Sequence, residues 1–432
     1  MSSLEDKATR EGDLLQHKGD VDGAIAAYTE AIGLNPQNAQ PYSGRGRAYL
    51  QQGEWDKAIA DCDKAIWLDP TLAEAYRTRG NSHGRNGDLD KALADLTEAI
   101  RLDPQSAEAY CDRGLICGMK SEFDRTIADC TEASRLDPKS PQAFRLRAAS
   151  HDKKGEFDKA IADWTEVIRL EPQRAESYWG RGHVYEEKDE FDKAIADFTE
   201  SIRLNPQYAQ VYHGRANAYR RKGEFDKAIA DCTDAIRLKP EYARAYEDRG
   251  ASYLKKGDYN RAITDFNTAI RLDPQCLNAY WGRAYVHDEK SEFDKAIAAY
   301  TEVIRLRPQR MEPYYMRGAA FGNIGQFDKA IADYTEAIRL DPQHANAYYN
   351  RGRSYQNIND HAKAISDFTA AIEINPEDGG AFYARGDSQM HMGEKAKAEA
   401  DFAQARQLGH EPKPSGVVTS ALSSVKSWWS RR

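Results

Sequence analysis

The chain repeats one pattern of apolar and polar positions every 34 residues, and each repeat contains two helical blocks. In residues 39–72, Tyr42 and Tyr49 fall on one face of a first block, whereas Ile59 and Cys62 belong to the apolar face of a second. Apolar residues three or four positions apart predict an amphipathic helix. The pattern therefore predicts a first and a second helix in every repeat, joined as a hairpin.

Proline marks the same point in eleven repeats: Pro36, Pro70, Pro104, Pro138, Pro172, Pro206, Pro240, Pro274, Pro308, Pro342 and Pro376. Counting back from each proline gives twelve units: 5–38, 39–72, 73–106, 107–140, 141–174, 175–208, 209–242, 243–276, 277–310, 311–344, 345–378 and 379–412. Positions are numbered from 1 within each unit. Because the residue before a proline is biased away from the helical region, the second helix is expected to end there. A fixed period of this length indicates stacked units rather than one globular core.

Small residues recur at two places where the hairpin must close. Eight units have a glycine between the two blocks, which suits the left-handed residue that ends a helix: Gly19, Gly53, Gly87, Gly155, Gly223, Gly257, Gly325 and Gly393. Asn359 and Asp189 tolerate that conformation, whereas Ser121 and Ser291 tolerate it less well. Position 8 is Gly or Ala in all twelve units. This predicts close contact between the first and second helix.

These residues resemble a known repeat family. An aromatic residue at position 4, Gly or Ala at 8, Tyr at 11, Ala at 20, an aromatic at 24, Ala at 27 and Pro at 32 resemble the tetratricopeptide repeat (TPR) over residues 5–412. The resemblance implies an all-α fold, a right-handed superhelical solenoid of helix hairpins, also called an alpha-alpha superhelix. Residues 1–4 would form a lead and residues 413–432 a terminal segment.

One departure from the family is systematic. Position 7, often Leu in the family, is Arg in eleven units, from Arg45 to Arg385. We expect this arginine to reach the aspartate at position 23 of a second helix, such as Asp61, Asp163 or Asp333. The alternative is that its stem packs while its charged group is solvated.

Composition narrows the classes of function. The 432 residues carry a net charge of −8, so there is no basic field to hold phosphate backbones, and nucleic acid is not an expected partner. The six cysteines form no C-x-x-C pair, which excludes a zinc motif and a disulfide framework. A secretory signal and long apolar runs are absent from the sequence, so we expect a cytoplasmic protein.

The sequence contains no catalytic signature. Phosphate-binding glycine loops, H-E-x-x-H and G-x-S-x-G are all missing. His83, His151 and His287 stand where other units have Tyr at position 11, which indicates packed side chains. We therefore expect no enzyme activity, no catalytic residues, no cofactor and no metal.

The resemblance implies that positions 2, 5, 6, 9, 12 and 13 of the first helices face a concave groove. These positions differ in every unit while the rest is nearly constant, which favours a non-enzymatic scaffold that binds protein or peptide segments. The predicted aromatic anchors with their polar rim are Trp179, Trp281, Tyr285, Tyr315, Tyr349, Tyr383, Asn350 and Arg353. The alternative is that these rings cover neighbouring helices. A predicted basic region, interrupted by acidic residues, contains Arg47, Arg77, Arg85 and Arg145.

The last residues carry a second hypothesis. Between residues 416 and 432, Val418, Leu422, Val425 and Trp429 fall at helical spacing, so an amphipathic helix could cap the last unit. Alternatively, its tryptophans and terminal arginines could contact an anionic membrane. The chain would then be a membrane-associated assembly factor or a co-chaperone-like adaptor. The partner and the oligomeric state are left open.

Overall fold

The computed structural model describes residues 2–410, with side chains from residue 4. The chain divides into two compact units, Met1–Pro206 and Gln207–Arg432. We call these the first unit and the second unit, and each 34-residue repeat is called a hairpin from here on. The regular structure in the described residues is entirely helical. The helices of the first unit are α1 (Ser2–His17), α2 (Val21–Leu34), α3 (Ala39–Gln52), α4 (Trp55–Leu68), α5 (Ala73–Arg85), α6 (Leu89–Leu102), α7 (Ala107–Met119), α8 (Phe123–Leu136), α9 (Pro141–Lys153), α10 (Phe157–Leu170), α11 (Ala175–Glu187) and α12 (Phe191–Leu204).

The second unit continues the alternation. Its helices are α13 (Ala209–Arg221), α14 (Phe225–Leu238), α15 (Ala243–Lys255), α16 (Tyr259–Leu272), α17 (Leu277–Glu289), α18 (Phe293–Leu306), α19 (Met311–Asn323), α20 (Phe327–Leu340), α21 (Ala345–Asn357), α22 (His361–Ile374), α23 (Gly379–His391) and α24 (Lys395–Gln407). The predicted all-α class and the tandem helix hairpins are confirmed. In the described part of the chain, no helix combines the length and apolar character that a membrane-spanning segment needs. The helix predicted within residues 416–432 lies outside the described residues.

The turn inside each hairpin has the predicted left-handed residue. Gly53 has a φ of 81°, and the amide of Glu54 donates to the carbonyl of Tyr49 at 2.9 Å, which closes the end of α3. Ser121 and Ser291 adopt the same conformation, with φ of 61° and 55°, although a side chain makes it less favourable. The geometry of the turn is therefore kept even where the residue is unsuited to it.

The proline at position 32 acts as predicted. Asp69, directly before Pro70, is extended, with φ of −138° and ψ of 95°, and it ends α4. Asp137, before Pro138, behaves in the same way at the end of α8. The pyrrolidine ring excludes the helical region for the preceding residue, and the chain therefore turns into the next first helix.

The small residues at position 8 allow the two helices of a hairpin to approach. A Cβ added at Gly250 would lie 2.9 Å from Cε1 of Phe266, the position 24 ring of the same hairpin. A second close approach, at position 6, was not predicted. A Cβ added at Gly282 would lie 2.3 Å from Cζ of the same Phe266, now in the preceding hairpin. One ring therefore fills the space beside two successive first helices.

The predicted arginine pairs are confirmed in ten hairpins. In each, the arginine at position 7 donates two hydrogen bonds of 2.6–2.9 Å to the aspartate at position 23 of its own hairpin. Many of them also reach back to the preceding second helix, as Nη1 of Arg181 does to Oγ1 of Thr165 at 3.0 Å. Arg283 is the exception, because position 23 of its hairpin is Ala299; Arg283 donates to Asn267 instead. We call these arginine and aspartate side chains, with the small residues at position 8, the frame.

Contacts between hairpins give each unit a distinct inner side. Within each of the two compact units, the more extensive contacts of the described residues join second helices to neighbouring first helices, and they also join successive first helices, such as α3 with α5 and α15 with α17. No two second helices share such a contact within those residues. In each unit the first helices are therefore closer together than the second helices, and they line the concave side.

Candidate functional site

The candidate site is the concave surface of the first helices, formed by the side chains at positions 2, 5, 6, 9, 12 and 13. We call this surface the wall. Its residues vary from hairpin to hairpin while the frame recurs. The structure determines which of the predicted wall residues are accessible to a partner.

The prediction of an exposed aromatic strip is wrong at its centre. Trp281, Tyr285 and Tyr315 are only 2%, 9% and 4% exposed, and Asn350 is 6% exposed. All three rings belong to one hydrophobic core cluster of the second unit. They cannot serve as accessible anchors, and the alternative that these rings cover neighbouring helices holds for them.

The burial of these rings has a clear cause. Position 5 lies against the position 24 ring of the same hairpin: Trp281 meets Tyr300 edge-on at 5.7 Å between ring centroids. The ring of Tyr315 lies 5.8 Å from that of Tyr334, with an angle of 53° between the ring planes. The amide of the buried Asn350 donates to the hydroxyl of Tyr315 at 3.0 Å, which satisfies this polar group away from water. At Trp281 and Tyr315 the ring at position 5 therefore extends the core instead of the binding surface.

The remaining predicted anchors are half-buried and keep part of their surface on the wall. Tyr349 packs at 5.7 Å from Phe368, and Tyr383 at 5.3 Å from Phe402. Trp179 is half-buried in the first unit, 6.0 Å from the ring of His183. For these three, partner binding stays a prediction.

Arg353 lies beside this remaining aromatic surface on α21. It is half-buried and donates to the side-chain oxygen of Gln356 at 3.0 Å. Its partner-binding role also stays a prediction.

The predicted basic region is largely neutralised by carboxylates on the same wall. Arg77 contacts Glu74 at 2.9 Å, Glu108 at 2.9 Å and Asp112 at 3.2 Å. Arg47 lies 3.4 Å from Glu74. Ion pairs within the wall thus hold both arginines.

Two further arginines complete the predicted basic region. Arg145 contacts Glu171 at 3.3 Å, and burial together with Arg174 lowers the pKa of Arg145. Arg85 is exposed. The region therefore presents a mixed, internally paired surface.

A charged network on α13 and α15 was not predicted. His213 Nε2 lies 2.7 Å from Asp248, and Arg220 contacts the same carboxylate at 3.6 Å. Burial opposes ionisation of Asp248, but the hydrogen bond and charge of His213 hold its pKa below the usual value. Beside it, burial raises the pKa of Glu247, which accepts a hydrogen bond from Asn278 at 2.7 Å. The signal in the sequence was two adjacent acidic residues at positions 5 and 6.

A second acidic pair ends α17. The hydroxyl of Tyr285 donates to Glu289 at 2.6 Å. Burial, and then the charge of Glu289, raise the pKa of Asp288 to about 6. Asp288 and Glu289 occupy positions 12 and 13 of their hairpin, at the accessible end of α17.

Family models match most of this repeated architecture. The models described as tetratricopeptide repeat or TPR repeat match residues 9–73, 145–209 and 247–310, residues 216–257 and 323–359, residues 45–113 and residues 345–378. The chain belongs to the tetratricopeptide repeat family. No curated protein matches this TPR chain.

Several solved structures are similar to this TPR chain. YrrB, described as a TPR protein with an unusual peptide-binding site, is 26% identical; the match covers 44% of this chain and 97% of YrrB, with a TM-score of 0.41. The hetero-tetramer Cut9-Hcn1 is 16% identical over 90% of this chain and 97% of that one, with a TM-score of 0.42. Yeast Tom70 is 18% identical over 99% of both chains, with a TM-score of 0.39. At these TM-scores the likeness carries no argument about function.

Other reactive side chains of the TPR hairpins are occupied in packing. Nδ1 of His151 lies 2.8 Å from Glu156, and His287 meets Glu292 in the same way. Both histidines are buried, as their position 11 suggested. The six cysteines are buried, and burial raises the pKa of Cys111 to about 12, so its thiolate is suppressed. Among the described residues, no group of His, Cys, Asp and Glu is arranged to hold a metal ion.

Proposed function

We propose that this TPR chain is a non-enzymatic, cytoplasmic scaffold that binds segments of other proteins, rather than nucleic acid, along the wall. One observation carries the proposal: a constant frame supports a wall that changes at every hairpin. Position 9, which is not buried in any of these units, is Arg47, Asn81, Leu115, Ala149 and His183 in five consecutive first helices, while the arginine at position 7 is unchanged. A surface of this kind can recognise a partner side chain by side chain.

The chemistry of the wall suggests what each unit would contact. In the first unit, Arg77 and the carboxylates around it suit polar and charged groups that compete for these ion pairs. In the second unit, the rings of Tyr349 and Tyr383 are half-buried and Tyr349 lies near Arg353, and tyrosine and arginine are enriched at the centres of protein interfaces. We therefore expect aromatic contacts toward the C-terminal hairpins and charged contacts toward the N-terminal ones.

A random library of 12-residue peptides, displayed on phage and selected on the full chain, tests this proposal. The variant Tyr349→Ala with Arg353→Ala removes two wall side chains outside the core cluster. The matched control is Trp67→Ala, because this ring is 68% exposed on the second helix α4 and lies off the wall. We expect selected peptides to bind the wall variant at least about tenfold more weakly, as for the loss of interface hot spots.

Two results would count against the scaffold. Selection could recover no peptide above the background of an unrelated helical protein. Alternatively, Trp67→Ala could weaken the selected peptides as much as the wall variant does, which would place binding on another surface.

A further inference from the structure

One place on the wall of the second unit carries negative charge that the described residues do not balance. It is the C-terminal end of α17, where Asp288 and Glu289 are adjacent and half-buried. Glu289 accepts one hydrogen bond, from Tyr285, and within the described residues neither carboxylate forms an ion pair. A partly buried carboxylate without a cation is unfavourable.

Other buried carboxylates on the wall do have partners. Asp112 is held by Arg77 at 3.2 Å and by the amide of Asn81 at 2.7 Å. Asp248 meets His213 at 2.7 Å. The end of α17 therefore differs from these two sites in lacking a cation, rather than in being acidic.

A second, independent observation lies beneath these carboxylates. The side chain of Tyr300 on α18 is 0% exposed, and its hydroxyl has no hydrogen-bond partner among the described residues. After burial itself, the nearby charge of Asp288 contributes most to raising the pKa of Tyr300. A buried hydroxyl without a partner costs free energy until one is supplied.

The equivalent ring in the first unit shows where this hydroxyl is directed. Tyr28 occupies the same position 24, and its hydroxyl donates to Asp13 at 2.7 Å and lies 3.1 Å from the side-chain oxygen of Gln16. Asp13 and Gln16 are wall residues at positions 9 and 12 of their hairpin. In the hairpin that contains α17, these positions are Tyr285 and Asp288. By this correspondence the hydroxyl of Tyr300 is directed toward the side of α17 that carries Asp288.

The next hairpin lacks this arrangement. Its position 24 ring is Tyr334, but positions 9 and 12 are Ala319 and Gly322. Two carboxylates and a partnerless hydroxyl therefore coincide at α17 and not at the adjacent first helix.

We propose that Asp288 and Glu289, backed by the buried hydroxyl of Tyr300, form an acidic niche that binds the ammonium group of a lysine in the partner segment. The inference rests on the proposed function and names the chemistry of one contact in it. The ammonium would place a compensating charge beside both carboxylates, so the niche would be favourable only when occupied.

Lysine fits this niche better than arginine. The frame shows how arginine binds in this protein: two parallel N–H groups meet the two oxygens of a single carboxylate, as between Arg249 and Asp265. In the niche the accessible acceptors belong to two separate carboxylates, on adjacent residues of α17. A compact ammonium with three rotatable donors suits such a set, whereas a planar guanidinium suits one carboxylate.

The raised pKa of Asp288 agrees with a carboxylate that has no cation beside it among the described residues. Its value of about 6 shows that its surroundings disfavour the charged form when no partner is present. A cation within about 4 Å would reverse this preference.

The test uses the full chain and the wall-dependent peptides from the selection described above. Each lysine in a peptide is replaced in turn by norleucine, which keeps the length of the stem and removes the ammonium. Affinities are measured for wild type and for Asp288→Asn, Glu289→Gln and Tyr300→Phe. The control Asp294→Asn removes the same charge from an exposed site on α18, and thermal unfolding of every variant checks that it folds.

We expect one lysine whose replacement weakens binding about tenfold, the loss typical of a hydrogen bond to a charged group. Asp288→Asn should cause a similar loss, and the two changes together should cost little more than either alone. Tyr300→Phe should weaken the same peptide without affecting its norleucine form. Asp294→Asn should leave the affinity unchanged.

Three results would overturn the niche. Asp288→Asn could leave lysine peptides unaffected, or it could weaken the lysine and norleucine peptides equally. Selection could also yield wall-dependent peptides with no lysine that responds to Asp288, in which case the scaffold stands and only the niche fails. If no wall-dependent peptide is found, the scaffold and the niche fail together.

Discussion

At the scale of single residues, the arginine at position 7 explains how the hairpins keep a constant register. Its guanidinium is fixed by Asp197 in its own hairpin and by Thr165 in the preceding one, as seen at Arg181. A bidentate pair constrains direction as well as distance, because both N–H groups must face both oxygens. Where it recurs, this contact orients a first helix relative to two second helices.

Replacing this arginine tests its contribution to stability. Arg181→Met keeps an apolar stem but leaves Asp197, only 7% exposed, without its cation. We expect a loss of about 2–4 kcal/mol in the free energy of unfolding, because an unpaired, largely buried carboxylate remains. Guanidinium denaturation followed by tryptophan fluorescence measures it.

Arg283→Met supplies the control for this experiment. Its position 23 partner is Ala299, so no carboxylate loses its cation. A loss below about 1 kcal/mol is expected there, since only a hydrogen bond to a neutral amide is removed. Equal losses at both sites would show that packing of the stem, rather than the ion pair, matters.

Asp288 makes a prediction about pH. Its pKa of about 6 in the folded state exceeds the ordinary value of about 3.9, so the folded state binds its proton more tightly than the unfolded state. Stability therefore falls as the pH rises from about 4 to about 6, and stays lower above that range. Asp288→Asn should be more stable than wild type by about 2–3 kcal/mol at pH 7.5, and by much less at pH 4.

The difference in the free energy of unfolding between Asp288→Asn and wild type, measured at both pH values, checks this expectation. Asp294→Asn is the comparison, because its carboxylate is exposed. A difference that is the same at both pH values would contradict the assignment of the titration to Asp288.

At the scale of the helices, the distance between hairpins is set by which side chains are missing. Position 6 glycines such as Gly180 and Gly282 leave room for the position 24 ring of the preceding hairpin. A methyl group at Gly282 would overlap Phe266, which is fully buried and cannot move aside without disturbing its own hairpin. Close packing of successive hairpins therefore depends on these glycines as well as on those at position 8.

Gly282→Ala tests this arrangement. We expect a loss of about 1–3 kcal/mol from overpacking, measured by thermal or chemical unfolding. Gly322→Ala is the control, because no atom lies within contact distance of the added methyl group in α19. There the substitution should stabilise by about 0.5–1 kcal/mol, the helix propensity difference. A stabilising Gly282→Ala would mean that the hairpins can separate freely.

These helices also show what a sequence can and cannot predict. The 34-residue period, the left-handed turn and the pair of Arg45 with Asp61 were predictable, because each depends on residues at fixed spacing. The burial of Trp281 was not. Its exposure depends on the depth of the seam beside Tyr300, and position numbers identify the face of a helix but not that depth. The partnerless hydroxyl of Tyr300 was hidden for the same reason.

At the scale of the whole molecule, the pattern of contacts predicts how a local change spreads. The more extensive contacts in the described residues join helices no more than two apart in the chain. Stability in such an array is approximately a sum of hairpin terms and nearest-neighbour terms. A defect in one hairpin should therefore lower protection in its neighbours and leave distant hairpins unchanged, unlike a defect in a globular core.

Trp281→Ala tests this consequence by hydrogen–deuterium exchange and mass spectrometry. Removing this buried ring should cost about 3–5 kcal/mol locally. Amides of α15 to α21 should then exchange faster, because these helices contribute to the cluster around the ring. Helices α3 to α8 should exchange at the wild-type rate. Uniform acceleration along the chain would mean that the array unfolds as one cooperative body, and each hairpin could then no longer be treated as a separate element that presents its own part of the wall.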